Sequence, residues 1–410
     1  MPRALAIDDD PIILKLTASI LVRLGYQVTT APDGVQGLTA VKAERPDIII
    51  TDVMMPGLNG YELTRRLRRD PEFAHTPILV LTAQSELEEK LKAFEAGADD
   101  LMNKPFEPAE MAARLTVLLR RAEAGKIVQS MGLGQAESAR LIAVHSLRGG
   151  IGCSSLAANL GIGLARLWEK PTLLVYLVFN AGQIALMLNT PLKRTWADLA
   201  RFSPADLQQE TLATVIGKHA SGLDFVAAPT LPTDAELLSG ELLSAALTLL
   251  RTRYEYIVAD TAHDFSEITL ALLDAADVIL LMVAPEMSSA RAAAAALDTY
   301  KRLGYPKEKV KIVLNWTFEH QGLPRKNIEA ALHMPVAAVL PFASEKFVGA
   351  INRGHPLLHE NPTDPIAALI EDLAFRLSKE QHQSIPPAMP SAAWQRVNKR
   401  LAPLTASGRK

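Results

Sequence analysis

The chain has one cysteine, Cys153, in 410 residues, so no internal disulfide can form and a reducing compartment is the expected setting. Aromatic residues make up only 5%, which leaves the cores to Leu, Ile, Val and Ala and argues against aromatic platforms for a cofactor. Neither sign of charge dominates: 43 Lys and Arg face 45 Asp and Glu, a net charge of -2 that offers no general attraction to nucleic acid or anionic lipid. Long apolar runs are missing too. The most apolar windows, residues 172–188 and 278–283, are short or interrupted by Asn180, Gly182 and Gln183, below the length of a transmembrane segment. The start, Met1-Pro2-Arg3 and a brief apolar run, lacks the apolar stretch of a signal peptide, so a cytoplasmic location is expected.

At a typical domain size of about 150 residues the length implies more than one core, and two are expected here. Residues 3–121 alternate short apolar runs with amphipathic stretches. Strands are expected at Ala4–Ile7, Gln27–Thr30, Asp47–Thr51, Ile78–Thr82 and Asp100–Asn103, with a helix marked by Leu87, Leu91 and Phe94. Five strands alternating with helices predict an α/β domain over residues 1–121, a five-stranded parallel sheet covered on both faces. Apolar density then drops and Gly125, Gly132 and Gly134 appear, predicting a linker over 122–138. A second and larger α/β series occupies 139–380, with strands at Leu141–His145, Thr172–Val178, Tyr256–Asp260, Val278–Val283, Val310–Leu314 and Val336–Leu340. Residues 381–410 carry Pro386, Pro387, Pro390 and basic residues, and are expected to be a disordered tail with at most a frayed surface helix at Trp394, Val397 and Leu401.

Parallel α/β sheets bring the loops at the carboxyl ends of their strands into one crevice. Asp8 and Asp9 follow the first expected strand, Asp52 the third, Thr82 closes the fourth and Lys104 follows the fifth. Any one of them alone would read as a turn or cap residue. Three carboxylates together repel one another unless a hard cation sits among them, and Mg²⁺ fits. In such a site Asp52 can attack a phosphoryl donor, Lys104 can offset charge on the transferred group, and Thr82 can donate a hydrogen bond to it.

Asp8-Asp9, Asp52, Thr82-Ala83 and Lys104-Pro105, with Pro56 to Gly60 after the acceptor, resemble the phosphorylation site of response-regulator receiver domains, which are flavodoxin-like in the manner of CheY. The resemblance implies that Asp52 is the phosphoacceptor, that the backbone carbonyl of Met54 joins Asp8, Asp9 and Asp52 around Mg²⁺, and that a sensor histidine kinase or phosphotransfer protein supplies the phosphoryl group. One departure is Leu101, three residues before the Lys, where the family usually has Tyr or Phe.

In the second domain, Arg148-Gly149-Gly150-Ile151-Gly152-Cys153-Ser154-Ser155 lies between an expected strand and helix, a loop type that turns backbone N–H groups toward phosphates. It resembles the deviant P-loop of the ParA/MinD ATPases, a doubly wound P-loop fold, but both family lysines are replaced, by Arg148 and Cys153. The family's Asp-x-Asp matches Tyr176-Leu177-Val178 here, without either carboxylate, while Asp260 stands where a Walker B Asp would and Asn315 where a base-proximal Asn would. Gly149, Gly150, Gly152, Ser154, Ser155 and Asp260 are the candidate nucleotide-binding residues, with ATP as the ligand. A neutral thiol in place of the phosphate-binding Lys argues against efficient hydrolysis and predicts a pseudo-ATPase.

A receiver joined to such a domain is the arrangement of the TadZ/CpaE pilus-assembly proteins. It implies a homodimer, polar and peripheral placement at the inner membrane, and pilus or secretion machinery as partner. The alternative is a working MinD/ParA-type ATPase with a non-standard loop. No basic recognition helix points to DNA, since Arg65, Arg66, Arg68 and Arg69 fit a solvated helix face.

Overall fold

The computed structural model describes residues 2–70, 72–74, 76–82, 92–93, 95–109, 111–112, 114–115, 118–119, 138–179, 183–229 and 238–406, with side chains to residue 401. The chain divides into two compact units, Met1–Leu133 and Gly134–Lys410. The expected helix at Leu87, Leu91 and Phe94, and residues 122–137 of the expected linker, lie outside the described residues.

In the first unit, β1 (Arg3–Ile7), β2 (Gln27–Ala31), β3 (Ile48–Asp52), β4 (Ile78–Thr82) and β5 (Asp100–Asn103) form one sheet in the order β2-β1-β3-β4-β5. All four pairings are parallel. Successive side chains leave a strand on opposite faces, and both faces are buried: Leu5, Ile7, Ile49 and Val80 belong to one core, Ala4, Ala6, Ile50 and Leu79 to the other. Helix entry is set locally. Asp10 accepts from the backbone N–H of Ile12 and Ile13 ahead of the helix Pro11–Arg23, and Asn59 accepts from Glu62 ahead of Gly60–Arg69. The expected five-stranded α/β fold is thus observed, with strand ends moved by one residue at β1, β2 and β3.

The second unit holds an eight-stranded, mostly parallel sheet in the order β13-β12-β11-β6-β10-β7-β9-β8. Its strands are β6 (Arg140–His145), β7 (Thr172–Tyr176), β8 (Ile216–Lys218), β9 (Leu223–Val226), β10 (Tyr256–Asp260), β11 (Val278–Val283), β12 (Val310–Asn315) and β13 (Val336–Leu340). The β8–β9 pair is antiparallel and was not expected from the sequence. Its strands have three and four residues, too few to show a period, and Gly222 with φ +86° makes the tight return between them. Helix Cys153–Trp168 packs on the sheet and is buried along nearly its whole length.

The expectation of a disordered tail is corrected by the structure over residues 381–406. Residues Glu380–Ser384 and Ala392–Ala406 are helical. Val397 is fully buried and joins the core formed around helix Cys153–Trp168. The reason lies in a buried carboxylate. Glu371, 0% exposed on the helix Pro365–Leu377, receives Arg396 at 2.5 Å and Arg400 at 2.8 Å, and Arg400 also meets Asp372 at 2.7 Å. Cations that look like a solvated basic run are therefore partners that Glu371 needs, since a buried carboxylate without them costs several kcal/mol.

Among the described residues no helix is long and apolar enough to cross a membrane. Val397→Asp, which places a carboxylate without a partner inside this core, is expected to destabilise the second unit by about 3 kcal/mol or more. Urea denaturation of the full chain followed by circular dichroism checks it, and a change below about 1 kcal/mol would mean that the terminal helix is not docked.

Candidate functional site

The carboxyl ends of β1, β3, β4 and β5 bring together Asp8, Asp9, Asp52, Thr82 and Lys104. Asp8 is 3% exposed and Asp52 6%, Thr82 is buried at the end of β4, and Asp9 is exposed at the mouth. One carboxylate oxygen from each of Asp8, Asp9 and Asp52 lies within 4.8 Å of the others. The Lys104 Nζ stands 2.6 Å from Asp8 Oδ2 and 2.7 Å from Asp52 Oδ1, so a single ammonium bridges the two buried carboxylates.

Backbone geometry completes the cluster. The N–H of Met54 donates to Asp52 Oδ2 at 3.0 Å and that of Asp10 to Asp8 Oδ1 at 3.0 Å. The N–H of Lys104 donates to the carbonyl of Thr82 at 2.7 Å, fixing the β5 loop beside β4, and the Lys104–Pro105 peptide is cis. Gly60 has a steric role that spacing alone hides. A Cβ there would sit 2.1 Å from the backbone oxygen of Asp52, so only glycine lets the next helix start against the end of β3. Ala83 lies outside the described residues, and Leu101 is buried in the core beneath the sheet.

Burial raises the Asp8 carboxyl above its ordinary range, against the pull of Lys104 and of the Asp10 N–H; Asp52 adds to the rise. Burial acts on Lys104 in the opposite sense, but its hydrogen bonds to Asp52 and Asp8 win and hold the ammonium protonated above its usual value. Three hard oxygen donors of high charge density, open to solvent at Asp9, fit a Mg²⁺ ion.

The second unit's glycine loop is also at the carboxyl end of a strand, after β6 and ahead of helix Cys153–Trp168. Gly150 and Gly152 take left-handed backbone conformations, φ +77° and +94°, as a phosphate-binding turn would need. Asn315 is brought to the loop: its Nδ2 donates to the Ile151 carbonyl at 2.8 Å. A cavity of about 220 Å³ beside it is lined by Gly150, Gly152, Ser155, Asn315, Trp316 and Phe347, among others.

The charges of the loop differ from those of a phosphate site. Arg148 is engaged within its own chain, paired with Glu286 at 2.5 Å and donating to the Ser288 hydroxyl. Glu286 and Ser288 were not singled out as site residues in the sequence, although Glu286 is the first charged residue after the apolar run of β11, at the start of the helix Met287–Arg302, which is the signal that could have found it. Cys153 is buried, and burial, with Asp260 adding to it, pushes its thiol well above the ordinary range, so it is neutral. Asp260 is 0% exposed and both its carboxylate oxygens are buried without a hydrogen-bond partner. Burial pushes its pKa up to about 7; the Ser154 hydroxyl is close enough to oppose the shift without meeting hydrogen-bond geometry. Tyr176, opposite Asp260 in the β7–β10 register, has its phenol pushed up to about 12 by burial and by Asp260.

These geometries accompany clear likenesses to known proteins. Residues 4–116 match the family model of the response regulator receiver domain, and residues 139–303 that of the cellulose biosynthesis protein BcsQ. The first unit thus matches a response regulator receiver domain and the second a BcsQ-type domain, with the fold of the second shared by ParA and MinD proteins. Over 123 residues it is 44% identical to the DNA-binding dual master transcriptional regulator RpaA of Synechocystis sp., covering 30% of this chain and 51% of that protein. Over 121 residues it is 44% identical to the alkaline phosphatase synthesis transcriptional regulatory protein PhoP of Bacillus subtilis, covering 30% and 50%. The chain thus spans about half the length of these curated relatives. Among solved structures, a ParA family ATPase from Chlorobium tepidum superposes with a TM-score of 0.55 at 21% identity, covering 59% of this chain and 99% of that one. The septum site-determining protein MinD complexed with Mg-ADP, from Pyrococcus horikoshii, gives 0.54 at 17%, covering 61% and 100%. At those identities the likeness shows the fold alone.

The state of Asp260 gives a testable sign. Its pKa is about 7 folded against 3.8 for the free side chain, so the folded protein holds the extra proton between those values. The stability that Asp260 contributes is full below about pH 4 and is lost as pH rises toward 7, by about 4 kcal/mol at most. Asp260→Asn is expected to raise the urea midpoint more at pH 8 than at pH 5. Equal shifts at both pH values would mean that the carboxylate has a partner.

Proposed function

We propose that the protein is an atypical response regulator in which Asp52 accepts a phosphoryl group and the ParA/MinD/BcsQ-like domain is the regulated output, without efficient ATP hydrolysis. The observation that carries the first half is the Lys104 ammonium held between Asp8 and Asp52. A carboxylate oxygen of Asp52 is the nucleophile, and Lys104 beside it is already placed to follow negative charge onto the transferred group. Thr82 lies at the end of the neighbouring strand, where its hydroxyl can donate to a phosphoryl oxygen. Mg²⁺ held by Asp8, Asp9, Asp52 and the Met54 carbonyl would offset charge on the phosphoryl oxygens. The donor is a sensor histidine kinase or phosphotransfer protein.

For the second half, three features support a pseudo-ATPase: a neutral thiol at Cys153, Arg148 tied to Glu286, and Asp260 sealed in the interior. A phosphate group brought to this loop meets glycine amides and the Ser154 and Ser155 hydroxyls but, among the described residues of the loop, no uncommitted cation, so the loop does not fit a hydrolytic Mg·ATP complex. The domain then works as a dimerisation and docking module for cell-pole machinery at the inner membrane, in the manner of TadZ/CpaE proteins and a Tad or type IV-like pilus. The match to a BcsQ family model names a second client class, cellulose biosynthesis.

Incubation with Mg²⁺ and acetyl phosphate is expected to shift wild type on a phosphate-affinity gel and to leave Asp52→Asn unshifted. An unshifted wild type, or a shifted Asp52→Asn, would overturn the receiver assignment. ATP turnover is expected at background level. Turnover that disappears in Ser154→Ala and Asp260→Ala would instead establish the alternative, an active MinD/ParA-type ATPase. Deletion of the gene, scored for pili and for cellulose, separates the two clients.

A further inference from the structure

At the edge of the eight-stranded sheet a cavity of about 370 Å³ lies between residues 190–194 and the β8–β9 hairpin. Its volume is in the range of small-molecule sites, roughly 300–1,000 Å³. Lys193, Arg194 and Lys218 line it together with Thr190 and Thr214, and no carboxylate does. Among the described residues none of the three cations makes an ion pair. Asp224, opposite Lys218 in the strand register, is the carboxylate best placed to neutralise it, yet it accepts from the Tyr254 hydroxyl at 2.8 Å.

One ordinary explanation covers part of this charge. β8 is an edge strand, and lysine on an edge discourages pairing with another sheet. That accounts for Lys218 but not for Lys193 and Arg194, which stand on the neighbouring loop. Three like charges around one concavity repel one another, and a ligand of opposite charge relieves all three at once. The wall behind them is apolar. A Cβ on Gly217 would lie 2.5 Å from Phe225 Cζ, so glycine there lets the ring pass across the strand and close the cavity floor with Val215. The site shares no residue with the glycine loop or with the cavity beside Asn315.

We propose that this cavity binds a phosphate-bearing anion, drawn either from a soluble phosphorylated metabolite or from an anionic phospholipid headgroup. Guanidinium and ammonium groups supply the charge-assisted hydrogen bonds, Arg194 as a planar fork and the lysines as point charges. With no carboxylate in the lining, the site discriminates by charge against neutral and cationic molecules. It is independent of the phosphoryl chemistry proposed for the receiver and of any nucleotide in the glycine loop.

The probe is inorganic pyrophosphate, titrated calorimetrically into the full chain without Mg²⁺, with flotation on phosphatidylglycerol and phosphatidylcholine vesicles as a second arm. Wild type is compared with the triple variant K193Q/R194Q/K218Q and with Ser154→Ala, each checked for an unchanged thermal melt; Arg194→Lys alone serves as a milder charge-keeping change should the triple variant misfold. Pyrophosphate binding weakened about tenfold or more in the triple variant and retained in Ser154→Ala supports the proposal with a soluble ligand. Binding confined to phosphatidylglycerol vesicles and lost in the triple variant supports it with a lipid headgroup. Failure of wild type to bind either probe overturns it. So does binding that the triple variant keeps, or that Ser154→Ala alone abolishes.

Discussion

One ammonium group holds the receiver's reactive end together. Asp8 and Asp52 come from different strands, are almost fully buried, and would repel each other in a medium where charge is poorly screened. Lys104 Nζ lies within 2.7 Å of both, and its own loop is tied to β4 through the Thr82 carbonyl. The carboxyl ends of β1, β3, β4 and β5 are thereby locked at one point. Truncation of Lys104 would leave two buried carboxylates without a counter-charge, a loss of order and not only of a functional group.

The second unit builds the same kind of crevice and lacks that group. Asp260 ends the central strand β10, is sealed from solvent, and among the described residues makes no ion pair and no hydrogen bond from its carboxylate, the Ser154 hydroxyl lying near without meeting hydrogen-bond geometry. An acid in that position is tolerated by taking up a proton, which is what a pKa of about 7 expresses. The loop's own cation has been diverted: Arg148 spends its charge on Glu286. Two parallel α/β sheets in one chain thus meet the problem of an acidic strand end in opposite ways, one by importing a lysine and the other by neutralising the acid.

Much of this was legible in the sequence because strand ends and reactive residues coincide. Asp8, Asp52, Thr82 and Lys104 could be placed from apolar runs and the polar residues that end them, and the glycines of residues 149–152 from their position between a strand and a helix. Long-range partners were not legible. Nothing local says that Glu371 calls for Arg396 and Arg400, so the C-terminal segment, rich in Gln, Ser and Pro, reads as disordered although its helix docks on the core. The β8–β9 hairpin escaped for a different reason, since three and four residues carry no measurable period. Gly60 sits between these cases: its place in Pro56 to Gly60 was visible, while its steric cause, the Asp52 backbone oxygen 2.1 Å from a would-be Cβ, needed coordinates.

Leu101 constrains how a signal can leave the receiver. It sits in β5, three residues before Lys104, and is buried among apolar side chains of the sheet's core, with no hydroxyl to offer and no ring edge to present to water. An aromatic there could swing between buried and exposed positions with a polar tip that is content in both. A leucine gains nothing from exposure, and moving it outward costs the apolar area it now hides, about 1.5–3 kcal/mol. Under the proposed phosphorylation, added charge on Asp52 would act on the elements it already touches: the Met54 amide that donates to its carboxylate, the Lys104 bridge, and the helix start at Gly60 packed on its backbone oxygen. Each of these is a short-range contact, so under the proposed phosphorylation a response would travel as a shift of loops and of the helix Gly60–Arg69 rather than as the rotation of the side chain at Leu101.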